Sequence, residues 1–79
     1  MDRLIASIYK KNREEIRLSA RELKGRRWVD LRVYASGLTA EEKWPTGKGF
    51  LVPEEDWARF RDGIARAEKE LKENGWFHE

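Results

Sequence analysis

Between Glu15 and Tyr34 the chain reads EIRLSARELKGRRWVDLRVY, two alternating runs that meet at Lys24-Gly25. Alternation of period two over that length reads as a β-hairpin. Gly25 supplies the positive φ that tight hairpin turns need. With Lys24 and Gly25 at the turn, Leu23 faces Arg26, and pairing outward sets Ala20 opposite Val29, Leu18 opposite Leu31 and Ile16 opposite Val33. One surface is then aliphatic. The other collects Arg17, Ser19, Arg21, Leu23, Arg26, Trp28, Asp30, Arg32 and Tyr34. A four-residue loop would keep the same register.

On the second surface Arg17 lies directly opposite Arg32, and like charges facing each other across strands destabilise a sheet, so something anionic is needed to relieve them. Arg21 opposite Trp28 allows a cation–π contact of roughly 0.5–1 kcal/mol. Guanidinium groups beside an aromatic ring suit phosphates and stacked bases. Alternation alone does not separate such a site from a solvated face with scattered charge. Net charge is only +2, yet residues 1–35 hold ten Lys/Arg against five Asp/Glu, while residues 36–79 hold seven against ten. That asymmetry concentrates the basic charge on one part of the surface, the electrostatic footprint of a polyanion binder.

Seventy-nine residues make one domain, reading 1–79, whose core is marginal alone, so self-association would help it. Without cysteine there is neither a disulfide nor a thiolate zinc site. No run approaches the roughly 20 apolar residues of a membrane helix, and the charged N-terminus lacks the apolar core of a signal peptide. The expectation is a cytoplasmic, nucleoid-associated protein with no membrane partner. Its single histidine, His78, has no visible catalytic partner, and the carboxylates sit where helix capping and solvation explain them. The chain is therefore expected to be no enzyme and to need no cofactor or metal.

The remaining segments support the hairpin. Residues 3–9, RLIASIY, read as a first strand, although adjacent Leu4 and Ile5 leave undecided which side chains face inward. Ala35 to Glu41 reads as a flexible loop. A fourth strand, about 42–52, carries Pro45, Gly47 and Gly49, which suit an edge or bulged strand rather than a central one. Its TGKG run fails the spacing of a nucleotide-phosphate loop and reads as a sharp bend with an exposed Lys48. Trp44 has little local core to join, which leaves base stacking and a cover over a subunit contact as alternatives.

From Pro53 onward Trp57, Phe60, Ile64, Ala67 and Leu71 recur at helical spacing, predicting one amphipathic helix over about 54–74 that covers the aliphatic sheet face and leaves surplus area for a partner subunit. Asp62 with Arg66 and Glu68 with Lys72 are expected as i,i+4 pairs on its outer face. Gly63 costs helix stability, up to about 1 kcal/mol relative to Ala, and would allow close approach of sheet or partner. Gly75 is placed to end the helix at C′, ahead of an aromatic tail of Trp76, Phe77 and His78.

The hairpin run, followed by PTGKGFLVPEEDW, resembles the single-stranded-DNA-binding domain of the positive cofactor four transcriptional coactivators and their bacterial and phage relatives. The likeness covers about residues 14–64. Its marks are Leu-Lys-Gly-Arg closing one strand, Val-Asp-Leu-Arg in the next, Pro-Thr-Gly-Lys-Gly, and the acidic helix start before Trp57. The resemblance implies an α+β fold, a four-stranded antiparallel curved sheet followed by one long C-terminal helix, in an obligate homodimer whose helices build much of the subunit contact. By position it assigns Arg21, Lys24, Arg26, Arg32 and Lys48 to the binding surface. Where eukaryotic members place stacking aromatic residues, this chain has Leu23 and Ala35, so Trp28 and Trp44 are the candidate replacements.

The expected function is non-sequence-specific binding of single-stranded DNA, or of melted duplex, in transcription regulation or in replication, recombination or repair. Arg17, Arg21, Lys24, Arg26, Arg32 and Lys48 would meet phosphates while Trp28 and Trp44 meet bases. Two alternatives share the basic face: an adaptor that docks an acidic protein such as a transcription or replication factor, and an RNA-binding module.

Overall fold

The computed structural model describes residues 2–37 and 42–77. Four strands form one antiparallel sheet in the order of the chain: β1 (Asp2–Lys10), β2 (Glu14–Leu23), β3 (Arg26–Ser36) and β4 (Lys43–Pro53). A 3-10 turn over Glu54–Asp56 leads into helix α1 (Trp57–Glu73).

The central hairpin has the register expected from alternation along its whole length, from Leu23↔Arg26 through Arg17↔Arg32 to Glu15↔Tyr34. Lys24 and Gly25 both adopt positive φ, 52° and 79°, the geometry of a type I′ turn whose twist matches the strands it joins. β1 pairs with β2, with a bulge between Leu4 and Ala6. Ile5 is the extra residue, which explains why the apolar alternation of this strand is broken. The bulge puts Leu4 beside Ser19, on the arginine side, and Ala6 and Ile8 beside Leu18 and Ile16, on the aliphatic side.

β4 is an edge strand, as Pro45 requires, and its pairing with β3 jumps from Arg32↔Gly49 to Tyr34↔Pro45. Thr46 fixes that bulge by donating its hydroxyl to the Val33 carbonyl (2.8 Å) and accepting from the Lys48 amide (3.1 Å). Gly49, at φ 149°, sits so close to β3 that a Cβ there would lie 2.7 Å from Arg32 Cα. The TGKG run is thus a close strand crossing.

α1 starts without a side-chain cap and ends in a Schellman motif, with the Trp76 amide donating to the Leu71 carbonyl (2.9 Å) and the Gly75 amide to that of Lys72 (3.0 Å). Gly75 takes the left-handed conformation, φ 78°. Lys72 pairs with Glu68 as expected, but Arg66 turns to Glu70 (3.2 Å) rather than to Asp62. His78 and most of the expected Ala35–Glu41 loop lie outside the described residues.

One expectation needs correction. The helix does not cover the aliphatic sheet face. It touches the sheet only through its first turns, where Phe60 meets Phe50 edge-on at 5.7 Å and leans on Trp57 at 5.8 Å; residues 61–70 are all exposed. The physical cause is the direct run from β4 through a single 3-10 turn, which aims the helix away from the sheet. Among the described residues Val52 is the one buried hydrophobic side chain. The radius of gyration is 15.0 Å, against about 12 Å for a compact chain of this length. The accessible surface is 6747 Å², about 1,700 Å² above the roughly 5,000 Å² expected for this mass.

Candidate nucleic-acid interface

Cross-strand register assembles the side of the sheet away from Phe60 into rows. Asp2, Arg21, Trp28 and Pro53 form one row, Leu4, Ser19, Asp30 and Leu51 the next, then Ser7, Arg17, Arg32 and Gly49, then Tyr9, Glu15, Tyr34 and Pro45. Three arginines on the two central strands therefore stand together around Asp30. Leu4 at 54% and Leu51 at 46% exposure flank them.

The facing arginines are relieved from within the chain. Arg17 Nε donates to Glu15 (2.9 Å), and Arg32 Nε donates to Asp30 (3.1 Å), in each case an acid two residues earlier on the same strand face. Arg21 donates from Nη1 to Asp30 (3.0 Å) and lies 3.5 Å from Asp2. It is thereby drawn to carboxylates and not stacked on Trp28; the cation–π contact is instead Arg17 over the Tyr34 ring, at 4.4 Å. Asp30, 3% exposed, holds two guanidinium groups at once, as a buried carboxylate must if its charge is to be tolerated.

Donors remain for a ligand. A guanidinium carries five N–H groups. Arg32 uses Nε on Asp30 and Nη1 on the Thr46 carbonyl (3.0 Å), Arg21 uses Nη1 and Nε, and Arg17 uses Nε. Nη2 of each stays open among the described contacts. Because carboxylates and a carbonyl already orient these forks, an anion meets them without first ordering three long side chains.

Other sequence-derived residues are placed less uniformly. Lys24 and Arg26 sit at the hairpin tip, where with Leu23, Arg27, Trp28, Leu51 and Pro53, and with the acids Glu54 and Glu55 at its helix end, they line an open cleft of about 620 Å³. Trp28 is on the arginine side, but its Nε1 is buried and unpartnered. Trp44 pairs with Ala35, which puts it on the aliphatic side, its ring filling the space where Gly37 has no side chain. Lys48 stands in the β4 bulge, 76% exposed and 4.0 Å from Glu14. The arrangement thus unites Arg17, Arg21 and Arg32, adds Lys24 and Arg26 at one end, and leaves Trp44 and Lys48 apart.

A profile of the family described as Transcriptional Coactivator p15 (PC4) matches residues 10–63, which include both hairpin strands, the bulge and the start of α1. The chain belongs to this family. Among solved structures, the PC4 homolog BPSL1147 of Burkholderia pseudomallei K96243 aligns in two crystal forms. In the tetragonal form it is 29% identical with a TM-score of 0.74, over 86% of this chain and 98% of that one. In the orthorhombic form the figures are 31% and 0.73, over 86% and 90%. A bacteriophage T5 homolog of the eukaryotic coactivator PC4, implicated in recombination-dependent DNA replication, shares the fold at 24% identity and a TM-score of 0.64, over 94% of this chain and 81% of that one. No curated protein sequence matches significantly.

Sequence reasoning missed the part that Glu15 and Lys43 play in this PC4-family sheet. Lys43, on β4, bonds Glu15 on β2 across the intervening strand. Hydrogen bonds from Lys43 and then Arg17 hold the Glu15 carboxyl well below its ordinary 4.5, at about 2, against an opposing effect of burial. A depressed carboxyl contributes stability that is complete above its unfolded value and lost as pH falls through the folded one. Urea midpoints should therefore drop between about pH 4.5 and about pH 2, and a Glu15→Gln variant should lack that part of the drop. Equal acid sensitivity in both proteins would remove Glu15 as its source.

Proposed function

We propose that the chain binds single-stranded DNA without sequence specificity on the arginine side of its sheet, as a homodimer. The observation that carries this reading is the trio Arg17, Arg21 and Arg32, oriented by Glu15 and Asp30 on the side away from the helix. Flat sheet faces with cations among aromatic and aliphatic side chains suit a flexible strand, whose phosphates take guanidinium bonds while its bases rest on apolar surface. Duplex DNA buries its base faces in the stack and offers such a surface only phosphates. Arg26 and Lys24 extend the phosphate path to the hairpin tip, and Trp28 edges the cleft there.

The homodimer reading rests on the helix. Excess surface of about 1,700 Å² per chain, with Ile64 49% exposed, corresponds to an interface in the size range of obligate pairs. Gly63 has open space around it, which favours a close helix crossing over a lone exposed helix weakened by glycine. Membership of a coactivator family, and a phage homolog implicated in recombination-dependent replication, support a non-enzymatic role in transcription or in DNA replication and recombination, in the nucleoid. Among the described residues no helix is long and apolar enough to cross a membrane.

Titration of labelled single-stranded, duplex and RNA oligonucleotides of equal length tests the reading. Single-stranded DNA should bind most tightly; equal affinity for duplex, or none for any oligonucleotide, would overturn it. A preference for RNA would transfer the site to that ligand.

A further inference from the structure

Tyr9 belongs to the strand whose faces sequence pattern left undecided. Its partner is Glu15, whose partner on the other side is Tyr34, so Tyr9 joins the last row of the arginine side. One strand, β2, separates it from Tyr34, two strand spacings or about 10 Å away. One face of the Tyr34 ring is taken by Arg17 at 4.4 Å, and Trp28 is partly buried with its Nε1 closed off. Tyr9 is 74% exposed, the freest aromatic ring on this side among the described residues.

We propose that Tyr9 is a base-stacking platform, and that the bound strand crosses the sheet from the hairpin tip, past the arginines, to the β1 edge. This inference rests on the single-stranded-DNA reading and adds to it a residue and a direction. Position separates Tyr9 from the subunit seam, since the helix packs on Phe50, on the opposite side of the sheet. Chemistry suits it to a base: a flat ring with two rotatable angles orders cheaply, and its face accepts any base. Ser7, in the row between Tyr9 and Leu4, pairs with Arg17, so a base on Tyr9 has a guanidinium next to it for the adjoining phosphate.

The test is binding of a labelled oligothymidylate by the full chain and by Tyr9→Ala and Tyr9→Phe. Loss of one stacked base should weaken Tyr9→Ala about 5- to 150-fold, with the dependence on salt unchanged because no phosphate contact is lost, and Tyr9→Phe should bind like the parent. Binding by Tyr9→Ala within twofold of the parent overturns the inference alone. So does a fall in its mass to that of a single chain, which would make Tyr9 a subunit contact. Failure of the parent to bind any oligonucleotide removes the underlying function as well.

Discussion

Raising salt from 50 to 200 mM is expected to weaken single-stranded DNA binding about 50-fold. The size follows from charge counted on the face. Arg17, Arg21, Lys24, Arg26 and Arg32 are the candidate cations on the face of each protomer, with Lys48 beyond it in the β4 bulge as a sixth, but Glu15 and Asp30 already hold three of the arginines and remain in place when the strand arrives. About four charges are left to neutralise phosphates, and at roughly 0.7 per phosphate the slope of log K against log salt is near −3. Were the acids displaced and all six cations engaged, the slope would approach −4 and the loss about 300-fold. Arg32→Ala should flatten the slope by about 0.7. Affinity that ignores salt would refute phosphate contacts on this surface. Fluorescence anisotropy at four salt concentrations measures it.

On the proposed homodimer reading, Ile64→Lys should leave a largely unfolded chain at micromolar concentration. In an isolated protomer the change is nearly neutral, since Ile64 is half exposed and exposed substitutions are usually within about 0.5 kcal/mol. Within a helix seam the same lysine is an unpaired charge in apolar surroundings and costs several kcal/mol. A protomer whose buried hydrophobic core among the described residues is Val52 has little stability of its own to absorb that, and folding of obligate dimers is inseparable from association. Sedimentation and circular dichroism distinguish the outcomes: a folded chain with unchanged mass would place the subunit contact elsewhere.

What could be read from sequence divides along physical lines. The hairpin register from Glu15 to Tyr34 was legible because its apolar residues alternate cleanly and a Lys-Gly turn admits positive φ at both positions. The start and stop of α1 were legible from Pro53 and Gly75. β1 was not, because the bulge at Ile5 shifts the period of two midway, so Leu4 and Tyr9 point to a side that alternation alone could not assign. The path of the helix was equally hidden: periodicity marks its apolar stripe but not what that stripe meets. The register allowed Arg21 a cation–π contact with Trp28, the residue opposite. Opposite charge at short range in a partly buried place outweighs a cation–π contact, and Asp30 diagonally across takes the guanidinium. A legible signal for the relief of Arg17 and Arg32 did exist, in the acid two residues before each. Trp44 lies on the aliphatic side because it shares the parity of Phe50 and Val52 along β4, which the two-residue shift at Thr46–Lys48 leaves unchanged.

Glu15 and Asp30 have one more effect, on what this surface ignores. Each is a tethered anion at high local concentration, so the arginines are never vacant in the way a bare cationic patch is. A lone inorganic phosphate or a mononucleotide meets only the donors the carboxylates leave open, and meets them in the repelling field of both acids. A polymer brings its next phosphate and base already in reach, and the effective concentration of the second contact exceeds anything a free ion attains. On the proposed reading the surface should therefore discriminate by chain length, binding a continuous strand in preference to the abundant small anions of a cell.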